Sequence, residues 1–366
     1  MKYLVLSAAL FISVATFAQK EELKSLKKIY AKEKPTTKDV ESYKTALQSL
    51  ESVASSEEEK VYKNFYKGMF PLIELASLGE KVTPADQMKL FNEENLKNFI
   101  TAVNETKAYE SKLTKKEYTA DIDETLSWFS PMLQNMSYEM IKANQPKKAS
   151  ELFYLRYLLN KNDGLSLENS ARLAHQAQDY ILSEKLFDEF IASDYFKTGL
   201  NYYATNVASG NEEIFPNKIS RTQALTLKTH IKPRDEKVNA NAYEIYRILA
   251  ELTDYNGNNE KAEKYFNLAL DSNPKDLDVL KSVSRFYLQK GYNLIKKEEI
   301  IIKELNDGAT SAKRKEELLL ERKAMFKEAL PHFEKSYELD NTNTNSKEVL
   351  KATYEILEMK DKASKL

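Results

Sequence analysis

The chain of 366 residues contains no cysteine, which excludes disulfides, thiolate nucleophiles and thiolate metal sites together. It also excludes the lipid-modified cysteine that would anchor an exported bacterial lipoprotein. Histidine is nearly as scarce. His175, His230 and His332 are far apart, and none sits four residues from another, so there is no zinc-protease pair and each is expected to be structural or superficial. Glycine (8) and proline (9) are rare, leaving few helix breaks. There is no glycine-rich phosphate loop and no serine in a Gly-x-Ser-x-Gly setting. Neither sign of charge is in excess: Lys and Arg number 55 against 56 for Asp and Glu. That balance offers no electrostatic footprint for nucleic acid or an anionic membrane, and the aromatic and basic residues do not cluster into a nucleic-acid groove. Past the N-terminal segment, every apolar stretch is interrupted by charge well short of the ~20 residues a spanning helix needs, so no integral membrane segment is expected in the mature chain.

Charged residues make up 30% of the chain, and 22 Tyr and 16 Phe supply most of the bulky packing. With so few breakers, the composition predicts an all-α protein of long helices with solvated faces. Carboxylate pairs are too plentiful to mark an active site. No cofactor and no metal are expected. The N-terminus reads as an address: Met1-Lys2, an apolar run from Tyr3 to Phe17, and small residues at Thr16 and Ala18 before Gln19. We expect a signal peptide over residues 1–18, cleaved near Ala18-Gln19, and a secreted or periplasmic product.

Residues 19–121 predict an N-terminal helical region. Leu23, Leu26 and Ile29 mark a short helix or a partly ordered lead-in, and a helix carries Tyr43, Leu47, Leu50 and Val53. Ser55-Ser56-Glu57-Glu58-Glu59 then starts another, through Tyr62, Phe65, Tyr66 and Met69, which Pro71 should disturb and Gly79 close. A further helix is expected from Pro84 to Glu105, through Met88, Phe91 and Phe99, followed by a polar loop or short helix over 107–119. Residues 122–197 show helical repeats in phase: Met136 and Ser137 precede Ala149 and Phe153, and Ala174 and Ala177 precede Leu186 and Phe190, with turns at Asn144-Gln145-Pro146 and at 178–180. Residues 198–241 break the period. Tyr202, Tyr203, Thr205 and Val207, a turn at Ser209-Gly210-Asn211, then 212–215 predict a β-hairpin; a short helix over 220–228 and an irregular connection over 229–234 follow.

Residues 242–366 carry the sharpest pattern. Tyr246, Leu249 and Ala250, then Ala262, Phe266 and Ala269, closed by Pro274, have the spacing of two antiparallel helices whose small residues allow close packing. Leu280, Val283, Ser284 and Tyr287 repeat the first of them, and its partner arrives late at Ala329, Phe333 and Ser336, after an extended charged helical insertion broken at Asp307-Gly308. A single capping helix is expected from Asn345 to the end. The segment 243–276 resembles one tetratricopeptide repeat, with Tyr246 where the family usually has tryptophan and Thr253 where it has tyrosine. The resemblance is specific over 240–363 and looser over 122–193. It implies a tetratricopeptide-like α-solenoid of antiparallel helix pairs carrying a small β-hairpin insertion, similar to exported repeat proteins of the Bacteroidetes.

The resemblance also implies that first helices line a concave groove for a protein or peptide partner. The groove positions are Glu244, Arg247, Glu251, Asp254 and Tyr255 in one unit and Asp278, Lys281, Arg285 and Gln289 in the next, with Arg247 and Tyr255 favoured as binding anchors. Glu251 stands where repeats that clamp a C-terminal carboxylate need asparagine, so that specialised reading is rejected. The expected function is a non-catalytic, exported scaffold or adaptor. The alternative is a carbohydrate-binding component of a glycan-uptake apparatus, with an aromatic pocket near Tyr202 and Tyr203. An all-α hydrolase would require a deep cleft with convergent polar groups.

Overall fold

Segments with apolar residues three and four apart form helices throughout the computed structural model, which describes residues 21–366 except 52, 53, 55, 84, 85, 87 and 88. The expected signal peptide, with Val53, Ser55, Pro84 and Met88, lies outside the described residues. Two compact units are present, one ending at Leu173 and the other spanning Ala174–Leu366.

The first unit contains α1 (residues 21–30), α2 (Thr37–Glu51), α3 (Glu57–Leu78), α4 (Glu93–Glu110), α5 (Thr119–Lys142), α6 (Pro146–Leu159) and most of α7 (Gly164–Gln176). The opening of α3 is a capping box: Ser56 accepts from the Glu59 N–H while the Glu59 carboxylate accepts from the Ser56 N–H. Pro71 does not disturb α3, contrary to expectation. The helix runs unbroken across it, because the ring is buried and Met69 and Ile73, buried on either side, hold both flanking turns in the core. A Cβ added at Gly68 would lie 2.3 Å from the Ala102 Cβ, so the absent side chain is what lets α3 approach α4.

The helix expected over 84–105 is broken at Phe91-Asn92: Asp86, Lys89 and Leu90 are already helical, and a new helix begins at Glu93, where Asn92 accepts from the Asn95 N–H, and extends to Glu110. Its last residue explains the extension. The fully buried Glu110 carboxylate accepts N–H bonds from Glu117, Tyr118 and Thr119 at 2.8–3.0 Å and the Thr119 hydroxyl at 2.5 Å. One side chain thereby fixes the end of α4 to the start of α5. Around it, Phe65 stacks on Tyr118 with centroids 4.2 Å apart, and the Tyr66 and Tyr118 hydroxyls are hydrogen-bonded to each other.

The second unit continues with α8 (Tyr180–Ala192), α9 (Asp194–Thr198), β1 (Leu200–Asn206), β2 (Glu212–Phe215), α10 (Lys218–Thr226), β3 (His230–Lys237), α11 (Ala242–Tyr255), α12 (Asn259–Ser272), α13 (Leu277–Leu294), α14 (Glu298–Leu305), α15 (Ala312–Leu339), α16 (Thr344–Ile356) and α17 (Lys360–Ala363). Helices α11, α12, α13, α15 and α16 pack in succession, each on its neighbour, as stacked hairpins of an α-solenoid. At Gly291 of α13 a Cβ would fall 2.4 Å from the Phe333 ring of α15.

A recurring turn marks the repeats. Asn144, Gln178, Gly257 and Glu358 all have φ between 53° and 86°. In each turn the residue that follows returns an N–H bond to a carbonyl five positions back: Gln145 to Met140, Asp179 to Ala174, Asn258 to Thr253 and Met359 to Tyr354. This is the Schellman ending, in which a left-handed residue satisfies the last carbonyls of the helix. The last instance corrects the single terminal helix expected from Asn345: Glu358 ends α16, and α17 is separate. The loops that lead back to the next hairpin also repeat, with the fourth residue donating to the first at Asn160–Asp163, Asn273–Asp276 and Asp340–Asn343.

The segment between α8 and α11 is a side excursion whose ends meet. Val238 donates to the Gly199 carbonyl, and α8 packs directly on α11. Lys261 of α12 reaches back to Glu184 and Asp188 of α8 at 2.7 and 2.5 Å, and Tyr265 donates to Asp188. The expected hairpin is present as β1 and β2, and β3 adds a third antiparallel strand, giving the order β2-β1-β3. The expected irregular connection over 229–234 is mostly β3. Its bulge sets Lys232 (φ 53°) and Pro233 opposite Ala204, after which Arg234 pairs with Tyr203 and lies 4.1 Å over its ring. Arg221 of α10 is buried against the sheet, donating to the Arg234 carbonyl at 2.6 Å and pairing with Asp235.

Candidate functional site

In the second unit, first helices α11 and α13 and the loop before α16 enclose a cavity of about 290 Å³. It is lined by Arg247, Asp278, Lys281, Ser282, Arg285, Asp340 and Asn343. The lining side chains are aligned by helical spacing: Asp278, Lys281 and Arg285 fall three and four apart on α13 and share one face. A polar relay joins the two helices beneath. Arg247 pairs with Glu251 at 2.9 Å, the Ser282 hydroxyl donates to the same carboxylate oxygen at 2.6 Å, and the Arg285 guanidinium donates to the Ser282 oxygen at 3.2 Å. Of the other acceptors in the lining, Asp278, Asp340 and Asn343, the last two are partly occupied. Asp340 accepts from the Thr342 N–H and hydroxyl, and Asn343 caps α16 by accepting from the Ser346 N–H. Among the described residues neither Lys281 nor Arg285 forms an ion pair, and both are exposed. The cavity therefore presents two cations outside any ion pair, Lys281 and Arg285, with Arg247 held by Glu251 beside them and the Asp278 and Asp340 carboxylates in the same lining.

The nine residues nominated from sequence divide accordingly. Arg247, Asp278, Lys281 and Arg285 line the cavity, and Glu251 lies behind it through Ser282. Glu244 accepts from the Tyr243 hydroxyl, and Gln289 donates to Asn293, both away from the lining. Asp254 is half-buried, and desolvation raises its carboxyl above the usual range. Tyr255 is 73% exposed but packs edge-on to Tyr180, with centroids 4.7 Å apart. Ser282, Asp340 and Asn343 were not nominated. The signal for the last two was present: they occupy the positions that Asn273 and Asp276 hold in the preceding loop.

The tyrosines proposed for sugar stacking are engaged. Arg221 lies 5.2 Å from the Tyr202 ring centre, and Arg234 covers Tyr203, so a guanidinium occupies one face of each. The histidines are dispersed: His230 bridges Thr229 and Glu213, His332 stacks on Tyr287, and His175 leans on Tyr180. Among the described residues no group of three or more His, Asp or Glu is arranged to hold a metal, and no helix is long and apolar enough to cross a membrane.

No protein-family model matches the chain, and no curated protein is significantly similar to it. Several solved structures align along most of its length. The crystal structure of yeast Tom70 is 16% identical with a TM-score of 0.27; the alignment covers 94% of this chain and 58% of that one, so the chain spans less than two thirds of it. A monomeric mutant of IFIT1 with Gppp-AAAA is 12% identical at 0.27, covering 95% and 72%. The tetratricopeptide domain of P58(IPK) is 14% identical at 0.20, covering 93% and 99%. The helical hairpins themselves, not these loose superpositions, establish the fold.

Proposed function

We propose that this protein is an exported, non-catalytic scaffold whose second unit holds an acidic segment of a protein partner in the cavity between α11 and α13. The observation that carries the reading is the placement of Lys281 and Arg285, one helical turn apart, exposed at a recess and outside any ion pair among the described residues, so that with Arg247 three cations face the two lining carboxylates of Asp278 and Asp340. A guanidinium pinned through Ser282 loses less freedom on binding than a free side chain, and Arg is over-represented among residues that dominate interfaces. The export reading rests on the charge and apolar pattern of residues 1–18.

Affinity capture from the source cell's envelope, followed by mass spectrometry, tests both parts. The wild-type chain is expected to retain a partner that Lys281→Glu combined with Arg285→Glu loses, while the far-ultraviolet spectrum and melting temperature are unchanged. Capture that is identical for the two proteins, or insensitive to raising salt from 0.05 to about 0.5 M, would place binding elsewhere.

A further inference from the structure

The first unit carries a second and larger recess, unrelated to the cationic cavity. Between α4, α5 and α6 runs an open trough of about 840 Å³ whose lining is mainly apolar. Its floor is a single stripe on α5, Trp128, Met132, Met136 and Met140, each four residues from the last, faced by Leu152 and Leu155 of α6. Trp128 is 45% exposed although it is the chain's one tryptophan, a residue expensive to leave in water. At 1.5 Å per residue the stripe is about 18 Å long, three turns of helix, so the recess is a channel with the length of a short helix. Methionine side chains are flexible and polarizable, suited to receiving apolar knobs of varied shape. The rim is acidic: Glu93, Glu139 and Glu151 stand against Lys148 alone. Glu139 is paired with Lys142, whereas Glu93 and Glu151 form no ion pair among the described residues.

We propose that this trough receives an amphipathic helix of a partner protein, with large apolar residues on one face and Lys or Arg at its flanks. An apolar face with anchors at i, i+4, i+8 and i+11 matches the stripe, and the basic flanks match Glu93 and Glu151. The opposite charge would suit the cationic cavity of the second unit, so the two sites select different segments.

Because Trp128 is the single indole, the indole emission of the folded chain comes from this trough alone. The full chain is titrated with a tryptophan-free, alanine-based helical peptide of about 16 residues bearing four leucines at that spacing and lysines at both ends. The expected result is a saturable blue shift. Binding should weaken at least tenfold when the terminal lysines become glutamates or a central proline breaks the helix. Glu93→Lys with Glu151→Lys, both on the surface, should reverse the preference between the two peptides. Met136→Glu should abolish the shift, and circular dichroism on that variant confirms that it folds. The proposal is overturned by no shift with any peptide, by equal binding of the lysine and glutamate versions, by a Trp128 already shielded from acrylamide in the free chain, or by a shift that grows with protein concentration without peptide, which would assign the trough to a second copy. A response to fatty acid or detergent micelles with none to peptide would overturn it in favour of a lipid.

Discussion

Ser284 and Ser336 each donate a hydroxyl hydrogen bond to the other's carbonyl oxygen, at 2.9 Å in both directions, and both are fully buried between α13 and α15. Ser150 and Ser170 make the same reciprocal exchange at 2.8 Å between α6 and α7. Small hydroxyls at these crossings allow close approach of the helices while satisfying one another, so the crossing tolerates neither loss of the oxygen nor added bulk. Ser336 also contacts the Ser346 hydroxyl at 2.8 Å, linking three successive helices of the stack. Ser336→Ala should cost about 1–2 kcal/mol through unmade hydrogen bonds. Ser336→Val should cost more, by a further 1–3 kcal/mol or so from overpacking. Urea midpoints of the two variants, compared with wild type, check the order.

Glu110 should make the first unit acid-sensitive. Burial works to raise its pKa, but the hydrogen bonds from Thr119, Tyr118 and Glu117 outweigh it and hold the carboxyl below its usual range. A carboxylate depressed in the folded state contributes stability that is fully present above its unfolded value, about 4.3, and is lost as the pH falls through the folded value. Glu110→Gln should therefore cost about 1.5–3 kcal/mol at pH 7, the range for hydrogen bonds to a charged group, and the gap from wild type should narrow on acidification below pH 4. Denaturant titrations at pH 7 and pH 3, followed through Trp128 emission, measure this directly.

Gly291→Ala is expected to be disproportionately harmful. The new methyl would meet the Phe333 ring, itself fully buried, at 2.4 Å, and neither helix can withdraw without breaking its neighbouring contacts. A loss of about 1–3 kcal/mol is expected from strain and off-rotamer packing. Combining it with Phe333→Leu should recover part of that loss, and a double-mutant cycle on thermal midpoints would reveal the coupling.

The left-handed turn residues invite the opposite experiment. Gln178 and Glu358 hold φ of 60° and 62° with a Cβ, where Gly257 does the same job without one. Gln178→Gly and Glu358→Gly should each stabilise by about 0.5–1 kcal/mol, the relieved strain exceeding the extra freedom of the unfolded chain. Gly257→Ala should destabilise by a similar amount. Melting temperatures of the three variants decide the matter, and a drop in both glycine variants would contradict the strain argument.

Much of the helical order is visible in the sequence because each hairpin packs only on its neighbours, so Ala262, Phe266 and Ala269 express their contacts locally. The strand β3 is hidden for the converse reason. His230–Lys237 carries charge and a proline where a strand usually alternates, and it is held by partners distant in sequence: the Tyr203 ring under Arg234 and the buried Arg221 beneath. Pro71 misleads in the same way, since burial in the core, not local propensity, decides the path of α3. Of the cationic cavity, Lys281 and Arg285 follow from the register of one helix. Asp340 and Asn343 repeat the loop positions of Asn273 and Asp276, but α14 and the long α15 move that loop out of the regular spacing and mask the repeat.

The kink at Lys232 and Pro233 bears on the behaviour of the protein in a crowded compartment. β3 is an outer strand of its sheet, and an outer strand with an unbroken row of amides can template the addition of a foreign chain. Here the row is cut by a residue without an amide hydrogen and twisted by a left-handed neighbour. That margin is therefore a poor template for an added strand.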